Sequence, residues 1–239
     1  MTSSPLYSHP VWRLGPVPVT EAVLVTWVMM VVLVGAAAWL RTRLRLRPSR
    51  WQCGAELIVE AVDAQIRDTM QTEPQPYRAF IGTLFLYIFF ANWSMLLPGI
   101  EPPTARLETD MALALLVFVA VAVFGVRAGG WRGYLASFAR PNPMLIPLNF
   151  VESLTRTFSL FVRLFGNVMA GVFVIGIVLS LAGLLVPIPL MALDLLTGVV
   201  QAYIFSVLAM VFIGGAVGDA GRHGGAQAGP PDLTRRNRR

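Results

Sequence analysis

Long apolar runs separated by short polar stretches dominate the chain. Such runs cover residues 22–40, 79–98, 111–126, 144–186 and 190–217. A helix of about 20 apolar residues is long enough to cross a hydrocarbon core about 30 Å thick. The pattern therefore predicts an all-α polytopic membrane protein, with about five transmembrane helices in a single membrane domain that comprises residues 1–239.

Two segments outside these runs have patterns of their own. In residues 55–70 an apolar side chain recurs at every fourth position from Ile58 to Met70, and charged side chains fall between them. This spacing predicts an amphipathic helix, which we expect on the inner membrane surface. Residues 1–21 contain four prolines and lack the charged start of a cleaved signal peptide. We expect them to form a short irregular external leader.

The distribution of charge predicts the orientation of the chain. Charged residues make up only 13% of it, about half the usual share in soluble domains. All 19 basic residues are Arg, five of them between Arg41 and Arg50, and the tail of residues 218–239 is also rich in Arg. The positive-inside rule puts both regions in the cytoplasm and the N-terminus outside. Orientation and contact with lipid headgroups thus explain the net charge of +6 without a nucleic-acid partner.

The fourth apolar run is too long for one upright helix. Residues 144–186 would measure roughly 65 Å as a helix, about twice the thickness of the hydrocarbon core. The run therefore either breaks, with Gly176 and Gly183 as candidate bends, or crosses the membrane at a strong tilt. We expect it to form a long tilted hairpin with residues 190–217, reversed near Pro187.

A few polar side chains lie within the last two apolar runs. Arg163 and Asn167 share one helical face, and Asp194 and Gln201 share another. An Arg in hydrocarbon costs roughly 2.5 to 3.5 kcal/mol on insertion scales, so Arg163 needs a partner, for which Asp194 and Gln201 are candidates. Arg163 is either a structural or snorkelling residue or part of an ion path. If Arg163 and Gln201 lie at the same depth, the two runs must tilt unequally.

The sequence around Arg163 resembles a known family. The motif is RLFGN, preceded by SLFV and followed after one residue by MAG. Further similar stretches occur in the same order, at residues 96–105 (LLPGIEPPTA), 111–118, 147–149 and 201–205 (QAYIF). These stretches are similar to subunit a of the F-type rotary ATP synthases. The resemblance covers nearly all of the chain after the first apolar run.

The resemblance implies a function and a set of partners. The chain would be an ion-conducting stator beside a rotating ring of c subunits in a bacterial plasma (inner) membrane. It would be held there by b-type peripheral stalk subunits and other subunits of the F-type ATPase. Ion flow past the stator would drive ATP synthesis, or ATP hydrolysis would drive ion pumping.

The resemblance also implies roles for individual residues. Arg163 would be the gate, because a guanidinium keeps its proton, attracts a deprotonated ring carboxylate and repels ions that would leak between two half-channels. Asn167 and Gln201 would lie beside the ion path. Asp194 stands where the family often has a titratable or polar side chain and would be the outer half-channel carboxylate. Its alternative interpretation is an acid at a helix start near Pro189.

Other polar residues have weaker family support. Asn92 and Glu108 match polar places near the outer opening, although loop polarity explains Glu108 almost as well. Glu152 either lines the inner half-channel or pairs with Arg156 one turn away. The translocated ion stays open between H+ and Na+, because the ligands of the ring carboxylate would lie on another chain and because Val172 stands where many members have an acid.

Several functional classes find little support in the sequence. A thiolate or multi-histidine metal site is excluded, because Cys53 is the only cysteine and His9 and His223 lie outside the apolar runs. We expect no cofactor besides the translocated ion. The chain has no phosphate-binding GxxxxGK[ST] motif, so it would be a non-catalytic subunit. An intramembrane enzyme would need a nucleophile and a base within the membrane. Neither His lies in an apolar run, so the sequence gives this class little support. The alternative function is an independent secondary transporter, although the repeated halves typical of that class are not found.

Overall fold

Helices form nearly all of the described chain. The computed structural model describes residues 10–14, 17–42, 50–96, 102–138, 146–182 and 186–224. The regular elements are strands β1 (Pro10–Leu14) and β2 (Val17–Thr20) and helices α1 (Glu21–Thr42), α2 (Arg50–Met70), α3 (Gln75–Trp93), α4 (Leu107–Phe138), α5 (Ile146–Ala182) and α6 (Pro187–Gly224). Short 3-10 turns cover Ser94–Leu96 and Pro103–Ala105. The all-α prediction is confirmed.

The leader is more regular than expected. Strands β1 and β2 pair antiparallel, with Leu14 opposite Val17 at the turn end. Proline lacks an amide donor but is tolerated at the start of a strand and on sheet edges, where Pro10 and Pro18 lie. The prolines therefore do not prevent a hairpin, and the irregular leader was a wrong expectation for residues 10–20.

Four helices are long and apolar enough to cross a membrane. These segments are Val23–Thr42, Leu107–Trp131, Pro147–Leu181 and Ile188–Gly218. They support an integral, multi-pass membrane protein. The predicted span 79–98 falls largely on α3, which is not among the four because polar residues at both its ends lower its mean hydropathy. A crossing by α3 therefore stays a prediction.

Helix α5 shows whether the overlong fourth apolar run breaks. It is continuous from Ile146 to Ala182, so the bend expected at Gly176 is wrong, while Gly183 lies outside the described residues. Its 37 residues measure roughly 55 Å, nearly twice the hydrocarbon thickness. Helix α6 has 38 residues and begins at Pro187, since the fixed φ of proline suits the first position of a helix. The strong tilt itself stays a prediction.

Helix α4 contains a kink at Gly130. Its φ of 71° lies in the left-handed region that favours glycine, and the chain resumes a helix beyond it. The segment after the kink folds back on the segment before it. A Cβ atom at Gly125 would lie 2.6 Å from Cδ2 of Tyr134, so only glycine fits beneath that ring.

Helix α6 packs against all of α2 to α5, and its inward face forms the centre of the core. Fully buried apolar side chains include Ile81 and Ile88 of α3, Val117 of α4, Leu160 and Leu164 of α5, and Phe205 and Ile213 of α6. Helix α2 begins at Arg50, earlier than predicted, and packs on this core through Ile66. An ion pair between Asp63 and Arg78 joins α2 to α3. The surface location expected for α2 stays a prediction.

Candidate functional site

Arg163 lies near the middle of the apolar segment of α5. Its side chain is exposed, and among the described residues it makes no hydrogen bond or ion pair. The expected contacts with Asp194 and Gln201 are therefore not formed. The helix buries Leu160 and Leu164 against its neighbours and leaves Arg163 exposed at the edge of that packed face. Within the described segments, the Arg163 guanidinium is thus unpaired on a lateral apolar surface.

A groove of about 580 Å³ leads along α5 to Arg163. Its polar lining comes from α5, and its apolar wall includes Leu208 and Phe212 of α6. The polar side chains recur at helical spacing and are Glu152, Thr155, Arg156, Ser159 and Arg163. Glu152 forms the ion pair with Arg156 and also lines the groove, and its place in an inner half-channel stays a prediction.

A second polar site lies between α3, α5 and α6. Asn92, Asn167 and Asp194, named here the Asn–Asp cluster, line one small cavity together with Gly198. Its volume of about 10 Å³ is near the lower limit for a single water molecule. The structure thus brings together three of the residues that the sequence singled out, from three different helices.

Asn92 is fixed within this cluster by two hydrogen bonds. Its Nδ2 donates to the carbonyl oxygen of Gly198 over 2.9 Å, and its Oδ1 accepts a hydrogen bond from Oγ1 of Thr104 over 2.8 Å. All three residues are buried. Because buried amides are costly when unpaired, this pairing gives the Asn92 side chain a single preferred orientation.

Two glycines make room for the polar side chains of the cluster. A Cβ atom at Gly171 would lie 2.5 Å from Cγ of Asp194, and one at Gly198 would lie 2.9 Å from Cβ of Asn92. Both distances are too short for non-bonded carbon atoms. Asp194 lies about two turns into α6, which has no acid in its first turn, so the helix-start interpretation does not describe it.

The remaining candidates, Gln201 and Glu108, do not line the cluster. Gln201 lies about one turn after Gly198, is 6% exposed, and its Nε2 has no hydrogen-bond partner within the described segments. Glu108 is exposed in the first turn of α4.

Two buried polar residues were missed by the sequence analysis. Thr104 and Asp110 are both 0% exposed. Thr104 is part of the PPTA stretch, but its contact with Asn92 depends on tertiary structure. The signal for Asp110 is its position directly before the apolar run that begins at residue 111. In the part of the chain that the structure describes, no group of three His, Cys, Asp or Glu side chains is arranged to hold a metal ion.

Comparisons with known proteins agree with this architecture. The family model described as ATP synthase A chain matches residues 23–214. The chain is 51% identical to ATP synthase subunit a 2 of Bradyrhizobium sp. over 93% of its own length and 100% of that protein. It is 45% identical to ATP synthase subunit a 1 of Prosthecochloris aestuarii, over 86% of this chain and 93% of that protein. The chain therefore belongs to the family of subunit a of the membrane sector of F-type ATP synthases.

Proposed function

We propose that this chain is the ion-translocating stator of a rotary ATP synthase, with Arg163 facing the carboxylates of a ring of c subunits. Membership of the family already implies other F-type ATPase subunits as partners. The observation that carries the proposal is the exposed Arg163, unpaired within the described chain and set in an apolar segment. Such a cation is costly in lipid. A carboxylate supplied by a second protein offsets that cost.

The chemistry of a guanidinium suits a gate rather than a carrier. Arg keeps its proton at any physiological pH, so it does not relay H+. It attracts a deprotonated ring carboxylate by about 4 kcal/mol at 4 Å and an effective dielectric constant near 20. One charge that crosses 100 mV gains about 2.3 kcal/mol, so the attraction and the driving energy are of similar size. A bound ion that neutralises the carboxylate therefore releases it from Arg163.

Two half-channels would meet the ring on either side of Arg163. By the positive-inside rule, the start of α5 lies in the cytoplasm and the turn between α5 and α6 lies outside. The groove with Glu152 then opens inward, and the Asn–Asp cluster lies on the outer side. Asn167, a member of the cluster, and Gln201, about one turn after Gly198, would line the path from the cluster to the ring. Glu108, exposed at the start of α4, would lie near the outer entrance.

The proposed function also explains the length of α5. A helix of roughly 55 Å that leans across the membrane follows the curved side of the ring. The b-type peripheral stalk subunits would hold the chain in place while the ring turns, so that flow of H+ or Na+ becomes torque for ATP synthesis, or the reverse. The N-terminus would be outside and the C-terminus in the cytoplasm of a bacterial plasma membrane.

The Asp194→Asn variant tests the outer half-channel. We expect ATP-driven ion uptake by inverted vesicles that contain the whole complex to slow about tenfold, equivalent to about 1.4 kcal/mol of added barrier. The amide has the same size but does not take up the ion. A pH dye and labelled sodium in the same assay identify the ion.

The matched control for this variant is Asp68→Asn, since Asp68 is an exposed acid on α2. The control should transport at the native rate. If Asp194→Asn also keeps the native rate while the complex remains assembled, Asp194 is not part of the path.

A further inference from the structure

The side chain of Asp110 is buried without a hydrogen-bond partner in the part of the chain that the structure describes. It is 0% exposed, and neither carboxyl oxygen has a hydrogen-bond partner within the described segments. It lies in the first turn of α4, inside a segment apolar enough to span a membrane. A buried, unpaired carboxyl is costly, so an additional group must satisfy it.

The packing of α4 on α3 gives the level of Asp110 along the bundle. The ring of Phe124 lies 5.0 Å from that of Tyr77 and 6.0 Å from that of Phe80. From these rings, α3 rises roughly 20 Å to Asn92. The antiparallel α4, followed back from Phe124, reaches Asp110 after about the same rise. Asp110 is therefore level with Asn92.

The packing of α4 on α6 gives the same level independently. A Cβ atom at Gly125 would lie 3.4 Å from Cβ of Ala216. The two helices run in parallel, and Asp110 and Gln201 lie equally far back from that contact, roughly 22 Å along each axis. Gln201 is one turn from Gly198, which bonds to Asn92. The Asp110 carboxyl and the Gln201 Nε2, which have no hydrogen-bond partner among the described residues, thus lie at the level of the Asn–Asp cluster.

We infer that Asp110 is a second carboxyl of the outer half-channel, which binds the translocated cation before it reaches Asp194. The inference rests on the proposed function. A buried carboxyl at this level becomes neutral by taking up H+, or its charge is balanced when its oxygens bind Na+. One cation enters and the same cation leaves, so the step consumes no co-reactant. The Gln201 amide, at the same level, is available to orient a bridging water.

The Asp110→Asn variant tests the inference in the complete complex. We expect uptake by inverted vesicles to fall at least tenfold with native amounts of the chain in the membrane. Asp110→Glu, which keeps a carboxyl, should recover most of the rate, whereas a purely structural role would favour the isosteric Asn. The Asp68→Asn control should be unaffected. Native uptake by Asp110→Asn overturns the inference.

A second measurement applies whether or not Asp110→Asn assembles. Cys53 is the only cysteine, so Cys53→Ser provides a cysteine-free background. We expect Asp110→Cys to react with a small charged thiol reagent added from the outer side. Ala120→Cys, three turns deeper on α4 and also buried, should not react. An unreactive Asp110→Cys overturns the inference.

The outcome of Arg163→Ala separates this inference from the proposed function. If Arg163→Ala abolishes uptake while Asp110→Asn transports normally, the stator function stands and Asp110 is not in the path. If Arg163→Ala transports normally, the proposed function itself fails.

Discussion

Replacement of Arg163 by alanine is expected to abolish ATP-driven ion uptake, down to the background of vesicles without the complex. Without the guanidinium, nothing draws the ion off the ring carboxylate, and nothing blocks a leak between the half-channels. Assembly should remain nearly native, because Arg163 makes no hydrogen bond or ion pair with the rest of the described chain. Uptake is measured with a pH dye and labelled sodium together, and the amount of assembled chain by immunoblot.

Two companion variants make this result specific. Arg67→Ala removes an exposed Arg from α2 and should leave uptake unchanged. Arg163→Lys keeps the charge but replaces the planar guanidinium by a compact ammonium, which loses bidentate contact with a carboxylate. We expect it to transport far more slowly than the native chain. Unchanged uptake in Arg163→Ala would make an independent secondary transporter the better hypothesis.

The Gly171→Ala variant is expected to reduce uptake by at least tenfold. In an exposed helix the change from Gly to Ala stabilises by about 1 kcal/mol, so helix propensity alone favours the variant. The new methyl group, however, would take the place of the Asp194 carboxyl, with its Cβ 2.5 Å from Cγ. Asp194 must then leave the cluster or push α5 away from α6. Either displacement would disrupt the proposed outer half-channel.

Gly176→Ala is the matched control, because a Cβ atom there meets nothing within 4 Å. It lies on the same helix and carries the same chemical change. We expect native uptake from it. Equal rates of ion uptake by the two variants would show that transport does not depend on the close contact between Gly171 and Asp194.

Hydrophobic patterning predicted the helices because membrane spans are set by length and composition, which are local properties. The same reasoning identified Arg163, since a charge inside an apolar run stands out without tertiary information. The same reasoning was wrong or incomplete where one residue type favours two different structures. Gly176 was a candidate bend, but neighbouring turns keep their hydrogen bonds in lipid, so α5 continues through it. The polar ends of α3 obscure whether that helix crosses.

Contacts between the helices that form the site depend on how the helices are aligned against one another. The sequence alone could not predict them. The spacing showed that Asp194 and Gln201 share a face of α6, but not that Asp194 lies over Gly171. The hydrogen bond from Thr104 to Asn92 joins a short turn to the end of α3, and no periodicity predicts it. The burial of Asp110 could not be predicted either, because an acid between two apolar runs is usually exposed in a loop.

The most direct test of the central claim is photo-crosslinking from the face of α5 that carries Arg163. A photoreactive phenylalanine analogue replaces Ala170, which is exposed on that face about two turns from Arg163. Leu115, exposed at 58% on α4, is the control position. We expect position 170 to crosslink to the c subunit in the assembled complex and position 115 not to do so. An assembled complex in which position 170 reaches only lipid would contradict the central claim.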